Sequence, residues 1–349
     1  MLAAVAFRRV NRVLILGGTG VVGRAIALRF SRIGWRVEVT GRDRANMPSE
    51  LSAAGVSFVC ADSRDASELA AAFGAGADLL VDCVCYSADD ARRLLPLASS
   101  ATSTVMISSK AVYVDDHGNH SNSDSPPRFD APVSESQPTL PSREDVPYDS
   151  REGYGVNKVA AEPVLLESGH PVSVLRPSKI HGRGARPARE WMWVKRALDG
   201  RSRVFLSHCG EGGDHTTAAA NIAALVETCA RAPGARVLNS ADPDAPNGLQ
   251  IARTIAWQFG LEWEEVLLDG PPIGNVGRHA WDRCPPVVLD TSAAVALGYS
   301  PVGDYAATVA DEVDWLVEAA SGGAEAARRP TDEDPFFAGL LDYAAEDRL

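Results

Sequence analysis

Tyr154 and Lys158 stand four positions apart in "SREGYGVNKVAAE", the stretch from Ser150 to Glu162. Residues at i and i+4 share one face of a helix, so the two side chains project together if 151–168 is helical with Ser150 as its N-cap. The chemistry this permits is proton transfer. A phenol with a pKa of about 10 is mostly protonated at neutral pH, and a nearby ammonium favours the phenolate. Such a tyrosine exchanges a proton with a substrate hydroxyl or carbonyl while hydride moves to or from a nicotinamide. The lysine can also reach the nicotinamide ribose. Upstream, "VMISSKAVY" ends a strand with Ser108 and Ser109, and a serine there can hydrogen-bond the substrate oxygen beside the tyrosine.

A glycine-rich turn supplies the partner for this chemistry. In "VLILGGTGVVGRA", Gly17, Gly18, Gly20 and Gly23 lie between a strand and a helix, with Thr19, Val21 and Val22 among them. The tight turn needs residues without Cβ, the backbone must approach a pyrophosphate, and the helix N-terminus offers free N–H groups to the anion. Cys83, at the end of a later apolar run, is assigned to the same cleft. At the end of the second strand an acid would hold the ribose 2′-OH of NAD and a base the 2′-phosphate of NADP. Here Thr40 is followed by Arg42 and Arg44 with Asp43 between them, so NADP is the favoured cofactor and NAD the alternative. Asp62, just past the third strand, can accept from the adenine amino group. It can equally cap the next helix, a task open to Ser63 and Asp65 too.

These residues need a scaffold, and the alternation of the first half provides one. Apolar runs at 12–16, 36–40, 56–60, 78–85, 103–109 and 171–177 alternate with helical stretches such as 22–34. Near-continuous apolar strands separated by helices predict an α/β fold, a doubly wound parallel sheet of Rossmann type covered on both faces. Residues 1–178 are assigned to this dinucleotide-binding domain, with a helix and strand returning to it at about 212–242. Residues 179–211 and 243–330 form a smaller C-terminal substrate-binding lobe, and 331–349 an acidic tail able to dock on the body or on a second subunit. From Val114 to Ser150 the pattern collapses into a long polar loop, and its "DDHGNH" reads as a polar turn; no metal site is assigned.

The 349 residues carry 46 acids against 34 bases, a net charge of −12, which argues against nucleic acid or an anionic membrane as the main partner. No apolar run approaches a membrane span of about 20 residues. The opening "MLAAVAFRRV" places its arginines after the apolar stretch, unlike a secretory signal, so a cytoplasmic location is expected. The six cysteines form no C-x-x-C pair and are expected to be buried free thiols.

Taken in order, "GGTGVVG", "ADSRD", "ISSKAVY", "YGVNK" and "VLRPSKIHGRG" resemble the extended and atypical branches of the short-chain dehydrogenase/reductase superfamily, over roughly residues 10–240. The resemblance implies a Ser-Tyr-Lys triad of Ser109, Tyr154 and Lys158, Ser109 being the serine four positions before Tyr113. It also implies a homodimer formed through two helices per subunit, one carrying the Tyr-Lys pair. The chain departs from members acting on nucleotide sugars. It has Lys179 where they tend to carry asparagine, and "DHTTAAAN" offers no arginine to clamp a diphosphate. Pro163 interrupts the catalytic helix and is expected to kink it.

On the substrate side, Lys179, His181, Arg183, Arg186 and Trp191 fall in the richest stretch. Cations there can bind a carboxylate or phosphate and indoles can stack on a flat ring. Tyr86 and Tyr113 follow strand ends, where ligands of such sheets bind. The expected activity is an NAD(P)-dependent oxidoreductase that moves hydride between nicotinamide and a carbonyl or alcohol of a small molecule. The alternatives are a sugar epimerase or dehydratase using tightly held NAD with transient oxidation, and a non-catalytic cofactor-binding or sensor protein.

Overall fold

The computed structural model describes residues 10–323, 325, 330–331 and 334–349; the opening stretch 1–9, used above for localisation, lies outside the described residues. Eleven strands are described: β1 (Arg12–Leu16), β2 (Arg36–Gly41), β3 (Ser57–Cys60), β4 (Leu79–Asp82), β5 (Ser103–Ile107), β6 (Val172–Pro177), β7 (Lys179–His181), β8 (Arg203–Leu206), β9 (Thr216–Ala218), β10 (Arg236–Ser240) and β11 (Glu264–Leu267). Seven of them form one parallel sheet in the order β3-β2-β1-β4-β5-β6-β10. The chain leaves β1 toward one edge and returns at β4 toward the other. That reversal opens a crevice at the carboxyl ends of β1 and β4, where such sheets bind ligands.

Period-two alternation explains why the sheet is covered on both sides. Val13 and Ile15 of β1 face one core with Ile26 and Phe30 of α1 (Val21–Arg32), while Leu14 and Leu16 face the other. The second face is closed by α3 (Ala66–Phe73), α4 (Ala88–Ala98) and α5 (Gly153–Leu166); α2 (Ser49–Ala53) is a single turn. Burying each such Leu, Ile or Phe side chain contributes about 1.5–3 kcal/mol.

Beyond β6 come α6 (Trp191–Leu198), α7 (Ala219–Arg231), α8 (Gly248–Gln258), α9 (Ser292–Ala296), α10 (Tyr305–Ala320) and α11 (Tyr343–Glu346). α7 packs beside α1, and β10 pairs with β6. The pairs β8–β11 and β7–β9, with α6, α8 and α10, enclose a second core rich in tryptophan: Trp191, Trp193, Trp281 and Trp315. The acidic tail docks on this part of its own chain. Phe337 and Leu340 enter its core, while Arg196 pairs with Glu346 and Arg201 with Asp347.

Three expectations need correction. β4 stops at Asp82 rather than running to residue 85, because the Asp82 carboxylate turns to accept the N–H of Val84 at 2.7 Å and bends the chain. All six cysteines are unpaired, but only Cys85 and Cys229 are buried; Cys60 and Cys284 are exposed. α5 spans Gly153–Leu166, shorter than 151–168, and continues three residues beyond Pro163. The long loop contains no regular strand. It is held by isolated pairings of Val114 with His120 and Tyr113 with Thr139, and by Asp115, which accepts the N–H groups of His117, Asn119 and Arg128. Among the described residues no helix is long and apolar enough to cross a membrane.

Candidate active site

The four glycines of the first turn divide into two jobs. Gly17 has φ +72°, and a Cβ there would stand 2.5 Å from Val84. A Cβ at Gly18 would meet Val39 at 2.4 Å, and one at Gly23 would meet the Gly18 Cα at 2.5 Å. These three let strand, turn and helix close on one another. At Gly20 a Cβ would meet only the Gly17 carbonyl, at 3.6 Å. Gly20 is also the N-cap of α1 and brings no side chain to its N–H groups. The open approach and the uncapped amides together fit a pyrophosphate. Thr19 and Val21 are half-buried at the turn, while Val22 packs into the core and has only backbone to offer.

The charged residues expected near the second and third strand ends are held by local bonds. Asp43 accepts the N–H of Ala45 at 2.9 Å, and Arg44 lies over the Phe58 ring and donates to the Phe58 carbonyl. Arg42 is the exposed charge at the end of β2, and Thr40 is buried. Asp65, not Asp62, caps α3 by accepting from Ser67 and Glu68. Asp62 stays half-buried just past β3 and accepts the N–H of Arg64 at 3.0 Å. Cys83 donates its N–H to the Leu16 carbonyl beside the turn, and burial with the adjoining Asp82 carboxylate pushes its thiol far up, so it meets the cleft as a neutral group.

The helix α5, which carries the expected tyrosine–lysine pair, is positioned by two glycines flanking Tyr154. A Cβ at Gly153 would overlap the Pro147 carbonyl, and one at Gly155 would stand 2.7 Å from the Ala111 carbonyl. The first turn of α5 therefore sits directly on the loop and on the segment after β5. The N-cap of α5 is Glu152 and not Ser150 as expected, and it brings no side-chain bond; Ser150 braces the turn just before it, its Oγ accepting the N–H of Gly153 at 2.9 Å and its carbonyl that of Tyr154. Lys158 is 2% exposed. Its ammonium donates to the carbonyls of Cys85 at 2.7 Å and Ile107 at 2.9 Å, Cys85 lying three residues past β4 and Ile107 being the last residue of β5. Tyr154 is half-buried one turn earlier, within electrostatic reach of Tyr86 and Arg189. Ser109 is half-buried just past β5, its Oγ accepting the N–H of Ala111 at 3.1 Å.

Ser108 is excluded by burial. It donates to Glu162 at 2.6 Å, and Glu162 pairs with Arg176, whose guanidinium covers the Tyr113 ring at 4.9 Å. The Tyr113 hydroxyl donates to Asn239 at 2.6 Å. Tyr113 thus closes a buried network and does not line a pocket. Tyr86 is half-buried and stacked on Tyr148 with ring centres 5.2 Å apart, and Arg64 donates to the Tyr148 hydroxyl.

The expected substrate residues scatter. His181 is 1% exposed and bonds Asp242 at 2.9 Å, so it faces inward. Arg183 turns to Asp311 and Glu318 of α10, 3.4 Å from each. Trp191 packs in the second core. Arg186 is exposed. Only Lys179 joins a cluster near α5, 3.5 Å from Asp214. Lys110 also pairs with Asp214, and Arg283 stands 3.7 Å from it. One carboxylate thus faces three cations, with Arg189 close by. Burial, then Arg189 and Arg283, push Lys179 well below its ordinary range. Of this group, Lys110 had a sequence signal that was missed, since it directly follows Ser109. Arg283 is 173 positions away from Lys110 and had none.

A doubly wound sheet bearing this turn and this tyrosine–lysine helix belongs to the extended short-chain dehydrogenase/reductase class. The chain is a member of the NAD dependent epimerase/dehydratase family, whose model matches residues 13–216, from β1 to the start of β9. The fold recurs in the UDP-N-acetylglucosamine 4-epimerase of Methanobrevibacter ruminantium, solved with UDP-N-acetylmuramic acid, at 16% identity and a TM-score of 0.67 over 89% of this chain and 99% of that one. It recurs in WbmG of Bordetella bronchiseptica with NAD and UDP, at 18% identity and 0.66 over 90% and 96%. The dTDP-glucose 4,6-dehydratase of Bacillus anthracis with NAD gives 14% and 0.65 over 88% and 97%. Curated protein sequences give no match.

Proposed function

We propose that this protein is an epimerase- or dehydratase-type enzyme acting at a carbinol of an anionic small molecule, with Tyr154 as acid/base. Family membership moves the reading from a simple oxidoreductase, expected first from the motifs, to a reaction in which the carbinol is oxidised transiently. A nicotinamide dinucleotide seated at the glycine turn would accept and return the hydride. The protein's own part is proton handling and placement. Tyr154 takes the carbinol proton and returns it, Ser109 holds the same oxygen, and Lys158 places its charge one helical turn from the phenol. Lys110, Lys179, Arg189 and Arg283 outweigh Asp214 and would bind a phosphate or carboxylate of the substrate. The end of β2, with Arg42 exposed and Asp43 turned to the N–H of Ala45, supports NADP over NAD within a family described by NAD. A homodimer through the adjacent helices α4 and α5, and a cytoplasmic location, complete the proposal.

The observation that carries it is the buried Lys158 ammonium, held by the carbonyls of Cys85 and Ile107 one helical turn from Tyr154. The test is Tyr154→Phe, assayed with a panel of phosphorylated and nucleotide-linked sugars and simple carbonyls. Turnover should fall by about 10²–10⁴-fold, with dinucleotide binding and thermal midpoint preserved. Net formation or consumption of reduced nicotinamide during turnover would return the protein to the simple oxidoreductases. Full activity in the variant would remove Tyr154 from the mechanism.

A further inference from the structure

Outside the catalytic cleft, three buried side chains from separate segments converge. His181 ends β7, Glu190 precedes α6, and Glu312 lies in α10; their exposures are 1%, 1% and 0%. One potential ligand atom from each lies within 4.8 Å of the other two. We infer that His181, Glu190 and Glu312 form a structural site for a first-row divalent cation, of which zinc is the type.

Three features point to a ligand rather than to a packed polar knot. First, Nε2 of His181 is 2.9 Å from the Asp242 carboxylate, while Nδ1 has no hydrogen-bond partner. An imidazole that gives one N–H to a carboxylate keeps the lone pair of its other nitrogen for a metal, and this carboxylate–histidine arrangement is the common support of metal-binding histidines. Second, Glu312 is fully buried with Oε1 unpartnered; its other oxygen accepts the N–H of Gly182. A buried carboxylate oxygen without a donor is strongly disfavoured unless something positive meets it. Third, the Glu190 and Glu312 carboxyls face one another, and the one hydroxyl nearby, Tyr305, donates to Glu190 only at 3.4 Å. Two carboxylates in contact require a proton or a cation between them. One imidazole and two carboxylates form a nitrogen–oxygen donor set suited to Zn²⁺. At metal–ligand lengths of about 2.0–2.2 Å tetrahedral donors stand about 3.3–3.6 Å apart, so separations within 4.8 Å close by at most about 1.5 Å when the cation binds.

A cation here would tie β7 to α6 and α10, the helices of the second core. It would also fix Glu190, and so the adjoining Arg189 that faces Tyr154. The site shares no ligand with the glycine turn, the Tyr-Lys pair or the cations around Asp214, and metal content and melting test it without any measurement of turnover.

The rival arrangement is a proton shared by the two glutamates, and Glu312→Gln separates the two. Protein purified without a histidine tag is analysed for metal, then unfolded thermally with and without prior dialysis against dipicolinate. The site predicts about one zinc per chain, a lower melting midpoint after chelation restored by added Zn²⁺, and both effects lost in Glu312→Gln. A shared proton predicts no metal, no response to chelator or Zn²⁺, and a Glu312→Gln variant at least as stable as the parent, because the amide mimics the protonated acid. Should that variant fail to fold, metal content and the chelator response of the unaltered chain decide alone. Absence of metal with an unmoved midpoint on adding Zn²⁺ overturns the assignment.

Discussion

The Lys158 ammonium lies 4.5 Å from the centre of the Tyr86 ring, while donating to the carbonyls of Cys85 and Ile107. Tyr86 closes over the lysine and Tyr148 of the long loop closes over Tyr86. The loop after Val114 is thereby tied to the lysine one helical turn from Tyr154. Replacing Lys158 by methionine keeps much of the volume but leaves the carbonyls of Cys85 and Ile107 without their donor. Each such loss costs about 1–3 kcal/mol. Lys158→Met should lower the denaturation midpoint and abolish turnover together, whereas Tyr154→Phe should affect turnover alone. Equal stability of the two variants would mean that the buried ammonium does not anchor these two segments.

How far the sequence discloses this site depends on the range over which its parts are assembled. The glycine turn and the Tyr154–Lys158 spacing are short patterns that can be read along the chain, but what closes on them comes from afar: Val84 and Val39 on the glycines, and the carbonyls of Cys85 and Ile107 on Lys158. Ser108 and Ser109 are adjacent and chemically equal. Only Glu162, 54 positions from Ser108, and the N–H of Ala111 distinguish them. The lobe is the least legible part. Its tryptophans and His181 look like ligand groups in a list of residue types, but the fold turns them inward, because a small core with few layers needs large side chains to fill it. The cations around Asp214 come from four separate segments and have no common period to reveal them.

The two jobs of the glycines predict opposite outcomes for the same substitution. Gly23→Ala places a Cβ 2.5 Å from the Gly18 Cα, a backbone contact that cannot relax by side-chain rotation, so the protein should unfold at markedly lower denaturant. Gly20→Ala has space in the fold and should leave the midpoint nearly unchanged. It should weaken dinucleotide binding, because the methyl group occupies the approach to the uncapped amides of α1. Calorimetric titration paired with urea unfolding of both variants checks this. Unimpaired dinucleotide affinity in Gly20→Ala would place the pyrophosphate elsewhere.

Arg42 gives the cofactor preference a direct test. Hydrogen bonds to a charged group contribute about 1.5–3 kcal/mol. Arg42→Ala should therefore weaken NADP about ten- to a hundredfold while leaving NAD within about twofold. Arg44→Ala should do less, since that guanidinium already rests on Phe58. A parent protein that binds NAD more tightly than NADP, with no change in either on removing Arg42, would assign the 2′-phosphate reading to error.

Asp82 links the same crevice to pH. Burial raises its pKa from the ordinary carboxyl range to about 6, against the lowering effects of the Val84 N–H and the Lys158 charge. The sign follows from proton counts. Between pH about 4 and about 6 the folded protein keeps a proton on Asp82 that the unfolded chain has released, so unfolding free energy falls as pH rises through that window. Above about 6 both forms are ionised and the contribution is flat, a cost on the order of 2–3 kcal/mol relative to acid conditions. Asp82→Asn retains an oxygen to accept from Val84 and removes the titration. Its stability should lose this slope between pH about 4 and about 6 and match or exceed the parent near neutrality. Chemical unfolding across that range reads the difference, and an unchanged slope in the variant would show that the carboxylate is ionised in the folded state, held so by Lys158.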